Sequence, residues 1–119
     1  MTIVCGSTIT MNGLVQFGLI VVGDDGQRIV RVSGDVDLST APLLEQQLKE
    51  LLEDGAREIV LDIADLRFID AAGLSVLVRA ADRLRRCDGE LQLRSPSRSV
   101  RKTLQITGLD TVFWCDQPG

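Results

Sequence analysis

Histidine is absent from the chain. Its absence removes imidazole acid–base catalysis and the commonest protein metal ligand together. Cysteine is scarce. Cys5, Cys87 and Cys115 show no CxxC spacing, so neither a disulfide framework nor a zinc site is expected, and reduced thiols are. There is no GxxxxGK[ST] phosphate loop and no GxGxxG fingerprint. Lys and Arg are missing from the first 23 residues, so there is no basic n-region of a secretory signal. The apolar stretch Leu14–Val22 falls well short of the roughly 20 residues a membrane-spanning helix needs. The expectation is a cytoplasmic protein without membrane insertion, with Met1 and Met11 both open as starts. Cationic excess is missing too. A net charge of -4 argues against nucleic acid, whose binding needs clustered Lys and Arg to displace counterions. The expected partner is protein or small molecule.

What is present fits one globular domain: 119 residues, 45% apolar and 25% charged. The first dozen residues are rich in Thr, Ser and Gly without clear periodicity. They read as a loosely held N-terminal extension (1–13) to a domain over 14–119. Gln16–Val22 and Arg28–Ser33 are β-rich runs around Gly23-Asp24-Asp25-Gly26, a spacer suited to a tight hairpin. Ser39 or Thr40 can cap a first helix with Pro42 in its first turn, and Gly55 ends it. Glu58–Ile63 is nearly continuous in apolar residues, as in a strand covered on both faces. After Asp65–Ile69 a second helix starts at Asp70, with Leu74, Leu77, Val78, Ala81 and Leu84 on one face, and Gly89 stops it. Glu90–Arg94 is a strand, Ser95-Pro96 caps a third helix ending at Thr107-Gly108, and Thr111–Trp114 is a last strand. The predicted class is α/β, a mixed, mostly parallel sheet with an N-terminal hairpin and three to four helices.

In such folds, chemistry gathers where the carboxyl ends of strands lead into helix N-termini. Two segments occupy that place, Asp35-Val36-Asp37 and Asp70-Ala71-Ala72-Gly73. Asp70 can accept from the free N–H groups of the second helix, which accounts for it structurally. Gly73, in the first helical turn, costs about 1 kcal/mol of helix propensity relative to Ala and marks close packing or the approach of a partner. A divalent cation on Asp35, Asp37 and Asp70 is the weaker reading, since no Lys, Thr or Ser at the loop ends completes a phosphotransfer site. No nucleophile is paired with a base. Neither an enzyme nor a metal or other cofactor is expected.

These residues resemble a family. Gly34-Asp35-Val36-Asp37 is similar to the G-[DE]-x-D segment of STAS domains, and Leu38-Ser39-Thr40-Ala41 follows as is typical there. Ile59–Ile63 and Asp65–Asp70 resemble the strand and loop before the family's D-S-S-G-L phosphorylation motif, which here reads Asp70-Ala71-Ala72-Gly73-Leu74. Ser95-Pro96 and Thr107-Gly108-Leu109 match the third helix. The resemblance spans roughly 14–115, with four motifs in order. It implies the STAS fold and the role of an anti-sigma factor antagonist, which docks on a GHKL-type serine kinase acting as anti-sigma factor and frees a sigma factor for transcription. In the family the kinase phosphorylates the second serine of the motif. Here that position is Ala72, which cannot accept phosphate, so regulation there is not expected while binding is. The implied docking residues are Asp35, Asp37, Ser39, Asp70, Ala71, Ala72, Gly73, Leu74 and Ser75. Ser75, one turn on, reads as an exposed helix serine rather than a substitute acceptor. Redox control through Cys87, beside Arg85 and Arg86, or through Cys115 is one alternative. A regulatory subunit of another assembly, such as a lipid ABC transporter, is the other. The expected oligomeric state is a monomer or weak dimer.

Overall fold

A computed structural model describes residues 2–11, 14–23, 27–111 and 113–115, with side chains over 17–23, 27–111 and at 113. Strands β2 (Leu14–Gly23) and β3 (Gln27–Val36) pair antiparallel, as the hairpin spacing predicts. The turn residues 24–26 lie outside the described residues. The chain continues through α1 (Ala41–Glu53), β4 (Glu58–Asp62), β5 (Leu66–Ile69), α2 (Ala71–Arg86), β6 (Glu90–Arg94), α3 (Arg98–Thr107) and β7 (Trp114–Cys115). With β1 (Thr2–Met11) at one edge, one mixed sheet results, ordered β1-β2-β3-β4-β6-β7, with β5 beside β3. The pairs β3–β4, β3–β5, β4–β6 and β6–β7 are parallel. The expected class, α/β with a mostly parallel mixed sheet, is the observed one. Among the described residues, no helix is long and apolar enough to cross a membrane.

Alternation builds the core. Along β3, Val30, Val32 and Val36 are buried while Arg31 is exposed, so one sheet face receives the helices. Leu44, Leu48 and Leu51 of α1 and Leu77, Ala81 and Leu84 of α2 complete a single cluster with Val30, Leu61 and Leu93. Truncating a fully buried member such as Leu48 to Ala costs about 2–5 kcal/mol in comparable cores.

Several boundaries differ from the sequence-based expectation, each for a local reason. Thr2–Met11 was expected as a loose extension but forms strand β1, antiparallel to β2. Its β-branched Thr2, Ile3, Val4, Thr8, Ile9 and Thr10 favour pairing even without an alternating pattern. Leu66–Ile69 is a strand rather than loop, since four residues at the tip of β3 leave too short a run for periodicity to register. In α2, Val76 and Ala80 are buried and Val78 lies just beyond the edge of the apolar stripe, partly exposed. Gly89 does not provide the left-handed residue that ends α2. Asp88 does, at φ 61°, with Gly89 N–H donating to Leu84 O and Asp88 N–H to Arg85 O. Glycine is required at 89 because a Cβ would come within 2.2 Å of the Arg57 carbonyl oxygen. The cap of α3 is Ser97, not Ser95-Pro96: its hydroxyl accepts from Val100 N–H and donates to Leu66 O. The final strand starts at Trp114, after a 3-10 turn over Leu109–Thr111.

Candidate functional site

Register places the two singled-out segments side by side. Val36 at the end of β3 pairs with Ile69 at the end of β5, so Asp37 and Asp70 are the first residues beyond two adjacent strand ends. Asp70 N–H donates to Val36 O at 3.1 Å, tying the start of α2 to β3.

Asp70 caps α2 as expected. Its Oδ1 accepts from Ala72 N–H at 2.9 Å and Gly73 N–H at 3.1 Å, satisfying two N–H groups that have no partner within the helix. Gly73 lets the first turn sit down on the strand ends. A Cβ there would stand 2.6 Å from Ile69 Cγ1 and 2.7 Å from Val36 Cγ1. The missing side chain is therefore a packing requirement, one of the two readings open for it.

Asp37 works differently. Its Oδ1 accepts from Ser39 N–H at 2.9 Å, Ser39 Oγ–H at 2.7 Å and Thr40 N–H at 3.2 Å. The Ser39 hydroxyl is the main reason its carboxyl titrates below the ordinary 3.8. Desolvation opposes this, and the Ser39 and Thr40 N–H groups add to it. Thr40 occupies the N-cap position of α1 but makes no side-chain bond to that helix. Its Oγ1 instead accepts from Asp37 N–H at 2.9 Å and donates to Asp35 O at 2.8 Å. Neither Ser39 nor Thr40 caps α1 in the expected way. Both are spent on closing the Asp35–Thr40 loop, while Pro42 stands in the first turn where its missing N–H costs little. The Asp35 carboxylate faces Arg67 of β5 at 3.4 Å. Nothing draws the three aspartates onto a common cation. Among the described residues no group of three His, Cys, Asp or Glu side chains could hold a metal.

The closed loop projects Leu38, which is 79% exposed. Leu38, Pro42 and Glu45 share a hollow of about 310 Å³ with Ala72, Ser75 and Arg79 of α2. Ala72 is half-buried at its edge and Ala71 is exposed. A second hollow on the far side of the same turn is lined by Ala71, Leu74 and Ser75 with Leu109. Ser75 Oγ donates back to Ala71 O at 2.9 Å, a bond that an exposed helix serine makes without external partners. The frame (Asp35, Asp37, Asp70, Gly73) and the displayed surface (Leu38, Ala71, Ala72, Ser75) thus meet at one end of the molecule, whereas Leu74, expected at the docking surface, turns inward and is buried in the core.

Cys87 does not join them. It is exposed at the C-cap of α2, about 22 Å from Ala72 by helical rise. The side chain of Cys115 is outside those described. The sequence reading missed Leu38 as the site's most exposed large apolar residue. The signal was available: a leucine in a Gly/Asp/Ser-rich loop, with no partner at strand or helix spacing.

Comparison with known proteins agrees with this geometry. The family model for the STAS domain matches residues 19–117. The protein BtrV of Bordetella bronchiseptica, named as a candidate anti-sigma factor antagonist, is 36% identical over 75% of this chain and 77% of its own. The anti-sigma-B factor antagonist of Staphylococcus aureus is 32% identical over 67% of this chain and 74% of its own. Among solved structures, an anti-sigma factor antagonist from Mycobacterium paratuberculosis superposes with a TM-score of 0.77 at 28% identity, covering 86% of each chain. The chain belongs to the STAS-domain family of anti-sigma factor antagonists.

Proposed function

We propose that this chain is a binding module, not an enzyme, which docks on an anti-sigma factor of the GHKL serine-kinase type and so releases a sigma factor. The observation that carries this reading is the shared hollow in which exposed Leu38 stands beside Ala72 and Ser75. An apolar anchor on a hydrogen-bonded loop, next to a helix start, loses little conformational freedom when a partner covers it. The names of the relatives, anti-sigma factor antagonists, point to the same partner class. Ala72 stands where the family motif carries its phosphoacceptor. Its methyl group offers no hydroxyl, so docking does not answer to phosphorylation at that residue. Phosphate placed there would add about -1.5 to -2 charges at a helix start inside the docking surface, which is how a family member with serine would be switched off.

The test is displacement. Added to a preformed complex of the sigma factor with its anti-sigma factor, the chain should liberate the sigma factor in gel filtration, and Leu38→Asp should not. Full retention of the complex with excess wild-type chain would defeat the reading.

A further inference from the structure

The furrow between α1 and α2 carries a charge pattern that the loop-centred site does not use. Both helices lead from one strand into the next of the parallel part of the sheet, so they run in the same sense, and the Glu45–Arg79 contact brings those two turns to one level. The furrow has a volume of about 440 Å³. Its floor is apolar, formed by Leu48, Leu52, Val76 and Ala80. At its opening Glu45 of α1 and Arg79 of α2 form an ion pair across the gap, with Arg79 Nε at 3.0 Å from Glu45 Oε2. One turn further along each helix stand Lys49 and Arg83, at i+4 from Glu45 and Arg79. Both line the same furrow and are exposed. Neither has a hydrogen bond or ion pair among the described residues. The first turn is balanced across the furrow; the next sets cation facing cation.

Three cations (Lys49, Arg79, Arg83) against one anion (Glu45) make this furrow locally +2, on a chain whose net charge is -4. Two like charges across an apolar floor attract an anion placed between them from both sides. Pro42, Glu45, Val76 and Arg79 line both the furrow and the Leu38–Ala72 hollow, so the two are continuous. The 13-residue α1 is about 20 Å long, room for roughly three to four turns of a bound helix. An apolar floor between rims charged one turn apart matches a helix with an apolar stripe and flanking acids at i, i+4.

We infer that the α1–α2 furrow extends the docking surface and receives an acidic amphipathic helix of the partner, with a carboxylate bridging Lys49 and Arg83. This rests on the docking reading above, the partner being the anti-sigma factor. The full chain carrying Lys49→Glu and Arg83→Glu together is titrated calorimetrically into the purified anti-sigma factor. The expected result is affinity at least about tenfold weaker than wild type at about 50 mM salt, with the gap narrowing at about 500 mM as screening shortens the reach of the charges. An unchanged thermal melt shows that the loss belongs to binding. If the double variant binds within about twofold of wild type while Leu38→Asp does not bind, the furrow inference falls and the docking reading stands. If the wild-type chain does not bind, both fall. Tight binding of decanoate that shifts the Arg83 resonances, with partner affinity unaffected by the double variant, assigns the furrow to a small anionic amphiphile and likewise overturns the inference.

Discussion

The starts of α1 and α2 both follow an aspartate at the tip of adjacent parallel strands, yet they are built in different ways. At α2 the aspartate is the cap itself, and Gly73 lets the helix press onto Val36 and Ile69. At α1 the aspartate sits three residues ahead of the cap position and organises a loop through Ser39 and Thr40. One start is fixed by packing, the other by hydrogen bonds. The difference explains what each displays: α2 presents a flat, small-residue surface at Ala71 and Ala72, and the α1 loop holds a leucine out in water. Under the proposed docking, a partner would meet a small-residue floor beside a projecting anchor.

The contrast can be broken at several points. Gly73→Val has the largest expected effect on stability, about 2–3 kcal/mol in chemical denaturation, because the added carbons must displace two buried side chains. A loss under about 0.5 kcal/mol would mean that α2 is not held by that close approach. Asp70→Ala should cost about 1 kcal/mol by loss of the cap. Asp37→Asn should lower the melting temperature less than Asp70→Ala but weaken docking more, since it unties the loop that carries Leu38. Equal effects on folding and binding would erase the distinction between the two starts.

The same contrast has a pH signature. The folded-state pKa of Asp37 lies below its ordinary 3.8, chiefly through the Ser39 hydroxyl. Its ionised form is thus favoured by folding: the contribution is present above about pH 3.8 and is lost as pH falls through the lower folded value. A carboxyl titration followed by NMR should give a midpoint for Asp37 below 3.8, moving up toward it in Ser39→Ala. A midpoint at or above 3.8 in the wild type would contradict the hydrogen-bond account. The smallest effect is expected for Ser75→Ala, within about 0.5 kcal/mol in stability, since its hydroxyl only back-bonds to Ala71 O.

Much of this was legible in the sequence because it rests on short-range chemistry. Asp70 followed by an apolar stripe reads as a capped helix, and Glu58–Ile63 reads as a doubly covered strand. Gly55, at φ 93°, closes α1 with Ala56 N–H donating to Leu51 O and Gly55 N–H to Leu52 O. Features that depend on distant partners were not legible. Ser97 outcompetes Ser95-Pro96 as cap partly because Leu66 O lies within reach of its hydroxyl, 31 residues away in sequence. Gly89 looks like a helix stop, and only the Arg57 carbonyl above it shows that it is there for space. Thr40 has the composition of a cap, but the Asp35 carbonyl draws its hydroxyl into the loop instead. At the site, the candidate docking residues were those the resemblance to the STAS motifs implies. The division between frame and displayed surface, and the place of Leu38, came from the fold.

The central claim is that docking persists where the motif carries Ala72. It is tested most directly by measuring the affinity of the wild-type chain for its anti-sigma factor before and after incubation of the pair with Mg-ATP, with the mass of the chain recorded alongside. The account predicts an unchanged Kd and no added phosphate, and an Ala72→Ser variant that gains both phosphate and sensitivity to ATP. Phosphate on the wild-type chain accompanied by loss of binding would contradict it.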